Sequence, residues 1–176
     1  MIKLYIVRHG KTNWNKEGII QGIIDIPLNE EGRNDSKKLK SEINKLKIDI
    51  CLSSPLKRAL ETAKIITDSK VIIDDLLIER KFGNYEGTKV NNDFFTKYWN
   101  YPLNSSDNDV ESIKICLERA RIFLDKIKKQ YDNKTILIVT HGGFIKALYY
   151  NIIGYNIETD FNSFYATNTT IYKFEI

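Results

Sequence analysis

Short apolar runs of strand length alternate along this chain with segments of helical periodicity. The runs predict strands at 2–7, 48–52, 71–73 and 135–140, and an edge strand at 169–174. Apolar residues spaced three and four apart predict helices between them, with stripes at Leu39, Ile43 and Leu46; Leu56, Ala59, Leu60, Ala63 and Ile66; Ile113, Cys116, Leu117, Ala120, Phe123, Leu124 and Ile127; and Phe144, Ala147 and Leu148. This alternation predicts an α/β fold with a largely parallel sheet covered on both faces.

Length and charge narrow the class of protein further. We expect the 176 residues to form one domain, 1–176. The net charge of +4 comes mainly from scattered lysines, not from a basic stripe, so we expect no nucleic-acid partner. No apolar run approaches the length of a membrane span, so we expect no membrane partner. Two cysteines, Cys51 and Cys116, are too few for a disulfide framework, which favours reduced thiols and a cytoplasmic location.

Residues 88–109 interrupt the alternating pattern. The segment is rich in Asn and Ser yet carries five aromatic residues, Phe94, Phe95, Tyr98, Trp99 and Tyr101. We expect a long irregular loop, and loops of this length are often functional. Two interpretations stay open, a lid or cap over a cleft and a satellite hydrophobic cluster. A base-stacking platform is disfavoured because no basic groove accompanies the aromatics.

Both histidines of the chain directly follow a predicted strand. His9 stands in Arg8-His9-Gly10, and His141 follows Thr140 and precedes two glycines. Ligands of open α/β sheets bind beyond the carboxyl ends of the strands, so both histidines are expected at one edge of the sheet. A single histidine after a strand is more often a packed residue, and the argument depends on their occurring together.

A third junction, "SSPLKRALETA", brings an arginine to the same edge. Ser54 is expected to cap a helix with Pro55 at its first position, which places Arg58 about one turn in. Helical side chains lean towards the N-terminus, so the Arg58 guanidinium is expected to point at the strand ends. Two arginines and two histidines at one place describe a phosphate pocket. A metal site is the competing use of histidine, but no carboxylate or cysteine lies at ligand spacing; we expect no metal and no cofactor.

These blocks, in this order, resemble the histidine phosphatase superfamily, also called phosphoglycerate mutase-like. The resemblance rests on "RHG" at 8–10 with Thr12 and Asn15, on "QGIIDIPLNEEG" at 21–32, on "SSPLKRALETA" at 53–63, on "LIERKFGNYEG" at 77–87 and on "VTHGG" at 139–143. It covers nearly the whole chain and implies a three-layer α/β/α sandwich with a mostly parallel mixed sheet.

The resemblance also implies the role of each site residue. His9 would be the nucleophile that becomes phosphorylated, and Glu79 the proton donor. Arg8, Arg58 and His141 would complete the catalytic set by binding phosphoryl oxygens. The substrate-binding set would be Arg8, Asn15, Gln21, Gly22, Arg58, Glu79, His141 and Gly142. Without the resemblance, Glu79 would read as a solvated loop glutamate.

One position departs from the family pattern. Val110 stands where phosphatase members often have Gly, which puts the local turn in question.

"FGNYEG" is similar to the phosphatase branch, and neither the inserted segment nor the tail of the mutases is expected here. The resemblance therefore implies a metal-independent phosphomonoesterase acting on a small phosphorylated metabolite. A cofactor-dependent phosphoglycerate mutase and a non-catalytic phospho-ligand binding protein remain alternatives. The substrate stays open among sugar phosphates, phosphoglycerates, nucleotides and α-ribazole phosphate, as does a monomer or homodimer.

Overall fold

A five-stranded sheet forms the centre of the computed structural model, which describes residues 1–176 apart from the side chain of Asn92. Its strands are β1 (Lys3–Arg8), β2 (Ile50–Ser53), β3 (Val71–Ile73), β4 (Thr135–Thr140) and β5 (Ile171–Glu175). The helices are α1 (Asn13–Glu17), α2 (Glu30–Ile43), α3 (Lys57–Ile66), α4 (Asn92–Tyr98), α5 (Ile113–Gln130) and α6 (Gly142–Ile153). All the predicted strands are present, and the third and fourth have the predicted bounds.

The strand order β3-β2-β4-β1-β5 sets the polarity of the sheet. The first four strands in this order run parallel to their neighbours, and β5 pairs antiparallel with β1 at the edge. The predicted edge strand and the mostly parallel sheet are therefore confirmed. In the parallel register, Arg8 lies opposite Thr140, and Ser53 lies opposite Val139. Three strands consequently end at the same level.

Alternate residues of the strands pack on opposite faces of the sheet. Leu4 and Ile6 of β1 belong to a buried cluster that includes apolar residues of α5 and α6. Val7 belongs to a second cluster formed with apolar residues of α2 and α3. Strand side chains alternate between the two faces of the sheet, and each of the helices α2, α3, α5 and α6 packs its apolar stripe against one face. The fold therefore has three layers, α/β/α.

The start of α3 differs from the prediction. The helix begins at Lys57, with Leu56 in the extended N-cap position, so Ser54 is not its cap and Pro55 lies before it. The Lys57 N–H is capped by the Asp25 side chain from a distant loop, at 2.7 Å. Arg58 is therefore the second residue of the helix and lies in its first turn, beside the strand ends.

The segment 88–109 is not the irregular loop that was expected. It contains α4, whose N-cap Asn91 accepts a hydrogen bond from the Phe94 N–H at 2.8 Å. Phe94 and Tyr98 join a third buried cluster, whose members are Ile20, Phe82, Phe94, Tyr98 and Val110, whereas Trp99 belongs to the cluster with α5 and α6. Val110 has φ −80°, which any residue adopts, so position 110 does not require the family Gly.

The two cysteines lie in different layers of the fold. Cys116 is a buried residue of α5, Cys51 is a buried residue of β2 that packs on the opposite face of the sheet, and both are free thiols. Burial raises the pKa of each thiol to about 12, so neither is a reactive thiolate near neutral pH. Among the residues described, no helix is both long enough and apolar enough to span a bilayer.

Candidate active site

The two histidines meet where β1 and β4 end. Because Arg8 and Thr140 are register partners, the residues that follow them leave the sheet side by side. The rings of His9 and His141 lie 5.1 Å apart between centroids, and both are buried. The predicted convergence is confirmed.

His9 is held as a neutral imidazole with a defined tautomer. Its Nδ1 lies 2.7 Å from the Gly10 carbonyl oxygen, which accepts only, so Nδ1 carries the proton and Nε2 keeps its lone pair. Burial lowers the pKa of His9 well below its usual value, and the charges of Arg58 and Arg8 lower it further. The Gly10 N–H donates to Thr62 Oγ1 on α3, which fixes the loop that carries the ring.

His141 is positioned from the next strand. Its Nε2 lies 2.7 Å from Ser54 Oγ, which also accepts the Leu56 N–H at 3.3 Å. The Ser54 hydroxyl can donate to Nε2, and in that tautomer His141 carries its proton on Nδ1. Nδ1 is buried without a partner. Burial, followed by the charge of Arg58, lowers the pKa of His141.

Arg8 is anchored at one end of its guanidinium. Nη1 donates to the Ala166 carbonyl at 2.7 Å and to the Tyr165 hydroxyl at 3.0 Å, while Nε is buried without a partner. Gly142 faces this guanidinium closely, since a Cβ there would lie 3.2 Å from Arg8 Cζ. The predicted glycine is thus a close-approach position.

Arg58 serves the loop that precedes α2 as well as the site. Its Nη2 donates to the Gly22 carbonyl at 2.6 Å and its Nη1 to the Ile24 carbonyl at 2.7 Å, while Nε has no partner. Burial lowers the pKa of Arg58 to about 10, against the opposing charges of Glu79 and Asp25, and the side chain stays charged near neutral pH. The guanidinium reaches the strand ends as predicted, but two of its nitrogens are already bonded to the chain.

Glu79 is fixed by three backbone N–H groups. Oε1 accepts from Arg80 at 2.7 Å and from Phe144 at 2.9 Å, and Oε2 accepts from Gly143 at 3.0 Å. Two of these donors belong to the first turn of α6, whose N-terminus favours a carboxylate. Glu79 is 8% exposed, so it is not the solvated loop glutamate that the sequence alone suggested.

These groups surround one cavity of about 170 Å³. Its wall contains the predicted residues Arg8, His9, Asn15, Gln21, Gly22, Arg58, Glu79 and Gly142. His141 lies behind the wall, against His9. The Asn15 oxygen is occupied by the capping box of α1, which leaves its amide nitrogen available. The segment 88–109 supplies Val90, Phe94, Phe95 and Trp99, so its aromatic cluster also forms a side of the cavity.

Trp14, Tyr165 and Lys146 are among the wall residues that the sequence analysis did not single out. Trp14 belongs to the short helix α1, and Tyr165 comes from the loop before β5, where no local pattern marks it. Lys146 lies one helical turn after the glycines that follow His141, and that spacing is the signal that could have found it.

Beside the cavity, three polar nitrogens are buried without a partner: Arg8 Nε, Arg58 Nε and His141 Nδ1. Buried donors are normally satisfied, so these three are suited to an oxyanion. Within the described residues, no group of three or more His, Cys, Asp or Glu side chains could hold a metal ion.

Comparison with known proteins agrees with this geometry. The sequence profile of the histidine phosphatase superfamily (branch 1) matches residues 4–176. The chain belongs to the histidine phosphatase superfamily. Among members, it is 33% identical over 171 residues to putative phosphoserine phosphatase 2 of Hydrogenobacter thermophilus, covering 92% of this chain and 84% of the relative. It is 31% identical over 167 residues to the metal-independent phosphoserine phosphatase of Arabidopsis thaliana, covering 85% and 68%.

A solved member of the superfamily has the same fold over almost the whole chain. The phosphoserine phosphatase of Entamoeba histolytica, in complex with 3-phosphoglyceric acid, superposes with a TM-score of 0.84 at 31% identity. The alignment covers 99% of this chain and 91% of the solved one. The three-layer fold and the phosphatase class expected from the sequence are confirmed.

Proposed function

We propose that this protein is a metal-independent phosphomonoesterase that hydrolyses small phosphorylated metabolites through a phosphohistidine at His9. The observation that carries the proposal is the neutral His9 ring, tied through Nδ1, beside buried donors that lack partners. Such a ring offers Nε2 as a nucleophile, and the donors offer a place for phosphoryl oxygens.

In the first half-reaction, His9 Nε2 attacks phosphorus while the ester oxygen leaves on the opposite side. Arg8 and Arg58 would neutralise the charge on the equatorial oxygens, and His141 Nδ1–H would donate to one of them. The Asn15 amide and the Gln21 amide, whose Oε1 is unpartnered, stand in the same wall.

Glu79 would give the leaving oxygen its proton. Oε2 accepts one backbone bond where Oε1 accepts two, so Oε2 is the oxygen with room to carry the proton. In the second half-reaction, the ionised Glu79 would take a proton from water as that water attacks phosphohistidine. The same carboxyl thus acts as acid and then as base.

The cavity and the relatives indicate the size and kind of substrate. A volume of about 170 Å³ is below the roughly 300–1,000 Å³ of pockets for drug-sized ligands, so a small phosphomonoester fits best. The names of the relatives make phosphoserine the first compound to assay. We propose the segment 88–109 as the cap that contacts the leaving group.

The decisive experiment traps the intermediate. Wild type is mixed with radiolabelled phosphoserine and quenched in alkali, where phosphohistidine is stable and from which acid releases it. We expect His9→Ala to lose both the label and the turnover. His141→Asn is the matched control, since it removes the other histidine but leaves the proposed acceptor; it should still be labelled, but more slowly because one donor to the phosphoryl group is lost. Label on His9→Ala, or turnover close to that of wild type, would refute the mechanism.

A further inference from the structure

Lys146 is a buried cation of the cavity wall for which the proposed mechanism has no use. It is 6% exposed and lines the cavity with Glu79 and Arg8. Gly143 and Gly142, which face those two side chains, precede it by three and four residues on α6. At 1.5 Å per residue, Lys146 stands about 4.5–6 Å further along the helix axis. It therefore lies one helical turn from the expected phosphoryl site.

The ammonium group has no anionic partner within the described structure. It makes neither a hydrogen bond nor an ion pair with any described residue, and its Nζ lies 4.4 Å from the centre of the Trp99 ring. Arg80 Cζ lies 4.5 Å from the same ring, and its two terminal nitrogens are buried without partners. Two buried cations thus share one indole.

Buried charges are normally paired, because removing them from water is costly. Burial lowers the pKa of Lys146 to about 8, and the charge of Arg80 contributes, while Asp160 and Glu79 oppose the shift. The side chain is still mostly protonated at pH 7. An anion in this part of the cavity would therefore remove an electrostatic cost that the free protein carries.

The ligand that meets this requirement is already constrained by the proposed function, on which this inference rests. Its phosphoryl group is held at His9, so its second anionic group must lie a few bonds away, at the length of one helical turn. Of the two cations over the Trp99 ring, Lys146 lines the cavity and Arg80 does not, and a single ammonium suits a group of one negative charge better than a second phosphate. A neutral sugar or base would leave the ammonium unpaired.

We propose that Lys146 binds the carboxylate of the substrate and makes the enzyme selective for phosphate esters of small hydroxy acids. Trp99 and Arg80 would position the ammonium and add positive potential. Lys146 is a specificity-determining residue in this scheme, since the transferred phosphoryl group is bound elsewhere.

The test uses pairs of substrates that differ at the carboxylate. O-phosphoserine is compared with O-phosphoethanolamine, and 3-phosphoglycerate with glycerol 3-phosphate, by phosphate release from the full chain. We expect wild type to have the higher kcat/KM for the acid of each pair. In Lys146→Met, the acid-to-neutral ratio should fall about 10- to 100-fold, the range of a hydrogen bond to a charged group. Lys146→Arg, which keeps the charge, should restore part of the ratio.

Lys114→Met is the matched control. Lys114 is exposed, its Nζ lies 5.0 Å from the Tyr101 ring, and it lies outside the cavity wall, so this change removes the same charge over an aromatic ring elsewhere. Its ratio should equal that of wild type. A wild type without preference for the acids, or a preference that survives in Lys146→Met, would overturn the inference. If wild type released phosphate from none of the esters, the proposed function itself would fail.

Discussion

Gly143 offers a way to displace the Glu79 carboxylate without touching Glu79 itself. A Cβ at this position would lie 2.6 Å from Glu79 Oε1 and 3.3 Å from its carboxyl carbon. In Gly143→Ala, the carboxylate has to retreat by about 0.8 Å to reach an ordinary contact distance. That movement stretches the bonds that Oε1 accepts from Phe144 and Arg80, now 2.9 and 2.7 Å.

We expect Gly143→Ala to lower the activity far more than it lowers the free energy of unfolding. Loosening charge-assisted bonds costs about 1.5–3 kcal/mol, but Ala in place of a helical Gly returns up to about 1 kcal/mol, so the protein should stay folded. Misplacing a catalytic group by about 1 Å lowers the rate about 100-fold. We therefore expect kcat/KM for phosphoserine to fall about 100-fold in Gly143→Ala, with a smaller fall for p-nitrophenyl phosphate, whose leaving group needs little protonation.

The assay is phosphate release from both esters, with urea unfolding as the measure of stability. A double-mutant cycle with Glu79→Gln tests whether Gly143→Ala acts through Glu79. In the Glu79→Gln background, where the acid is absent, Gly143→Ala should lower kcat/KM by less than about threefold. Activity of Gly143→Ala close to that of wild type would refute the reasoning, and so would equal losses in the two backgrounds.

Two further predictions concern the arginine and the histidines of the site. Arg58→Lys should lower kcat/KM for p-nitrophenyl phosphate about 100-fold. The reason is that one ammonium cannot bond the Gly22 carbonyl, the Ile24 carbonyl and a phosphoryl oxygen together. A loss below about threefold would contradict this role. The pKa of His9 and of His141 is lowered in the folded protein. Below about pH 6.5 these rings therefore take up protons in the unfolded chain but not in the folded one. The stability that is present at neutral pH is consequently lost as the pH falls. The free energy of unfolding, measured by urea titration in phosphate-free buffers, should fall between pH 7 and pH 5 with a contribution of up to about 1.4 kcal/mol per pH unit from each ring. The double variant His9→Asn, His141→Asn should lose that contribution, and an unchanged pH dependence would show that the rings titrate normally.

Much of the fold follows from local pattern. The runs at Val71–Ile73 and Thr135–Thr140 form strands with the predicted bounds, and every apolar residue of the stripe on α5 is buried. Strands and long amphipathic helices are determined by periodicity, which is read within one segment. The place of both histidines follows from the same information, because parallel strands must end at a common edge.

Other features depend on contacts between distant segments. The start of α3 is fixed by Asp25, which lies 32 residues before the N–H that it caps. Arg58 donates hydrogen bonds to two carbonyls of the same loop. Glu79 acquires its position from the N-terminus of α6, some 64 residues later in the chain. No residue near these positions in the sequence indicates the partner.

The sequence by itself determined which chemical groups reach the carboxyl edge of the sheet, since hydrophobic period and strand polarity are local properties. Only the tertiary structure decided which nitrogens remain unpartnered there, and that Lys146 shares an indole with Arg80 inside the wall. The reason is that burial and hydrogen-bond satisfaction are properties of the whole packed chain. A side chain is an unpaired donor only after every other segment has taken its place.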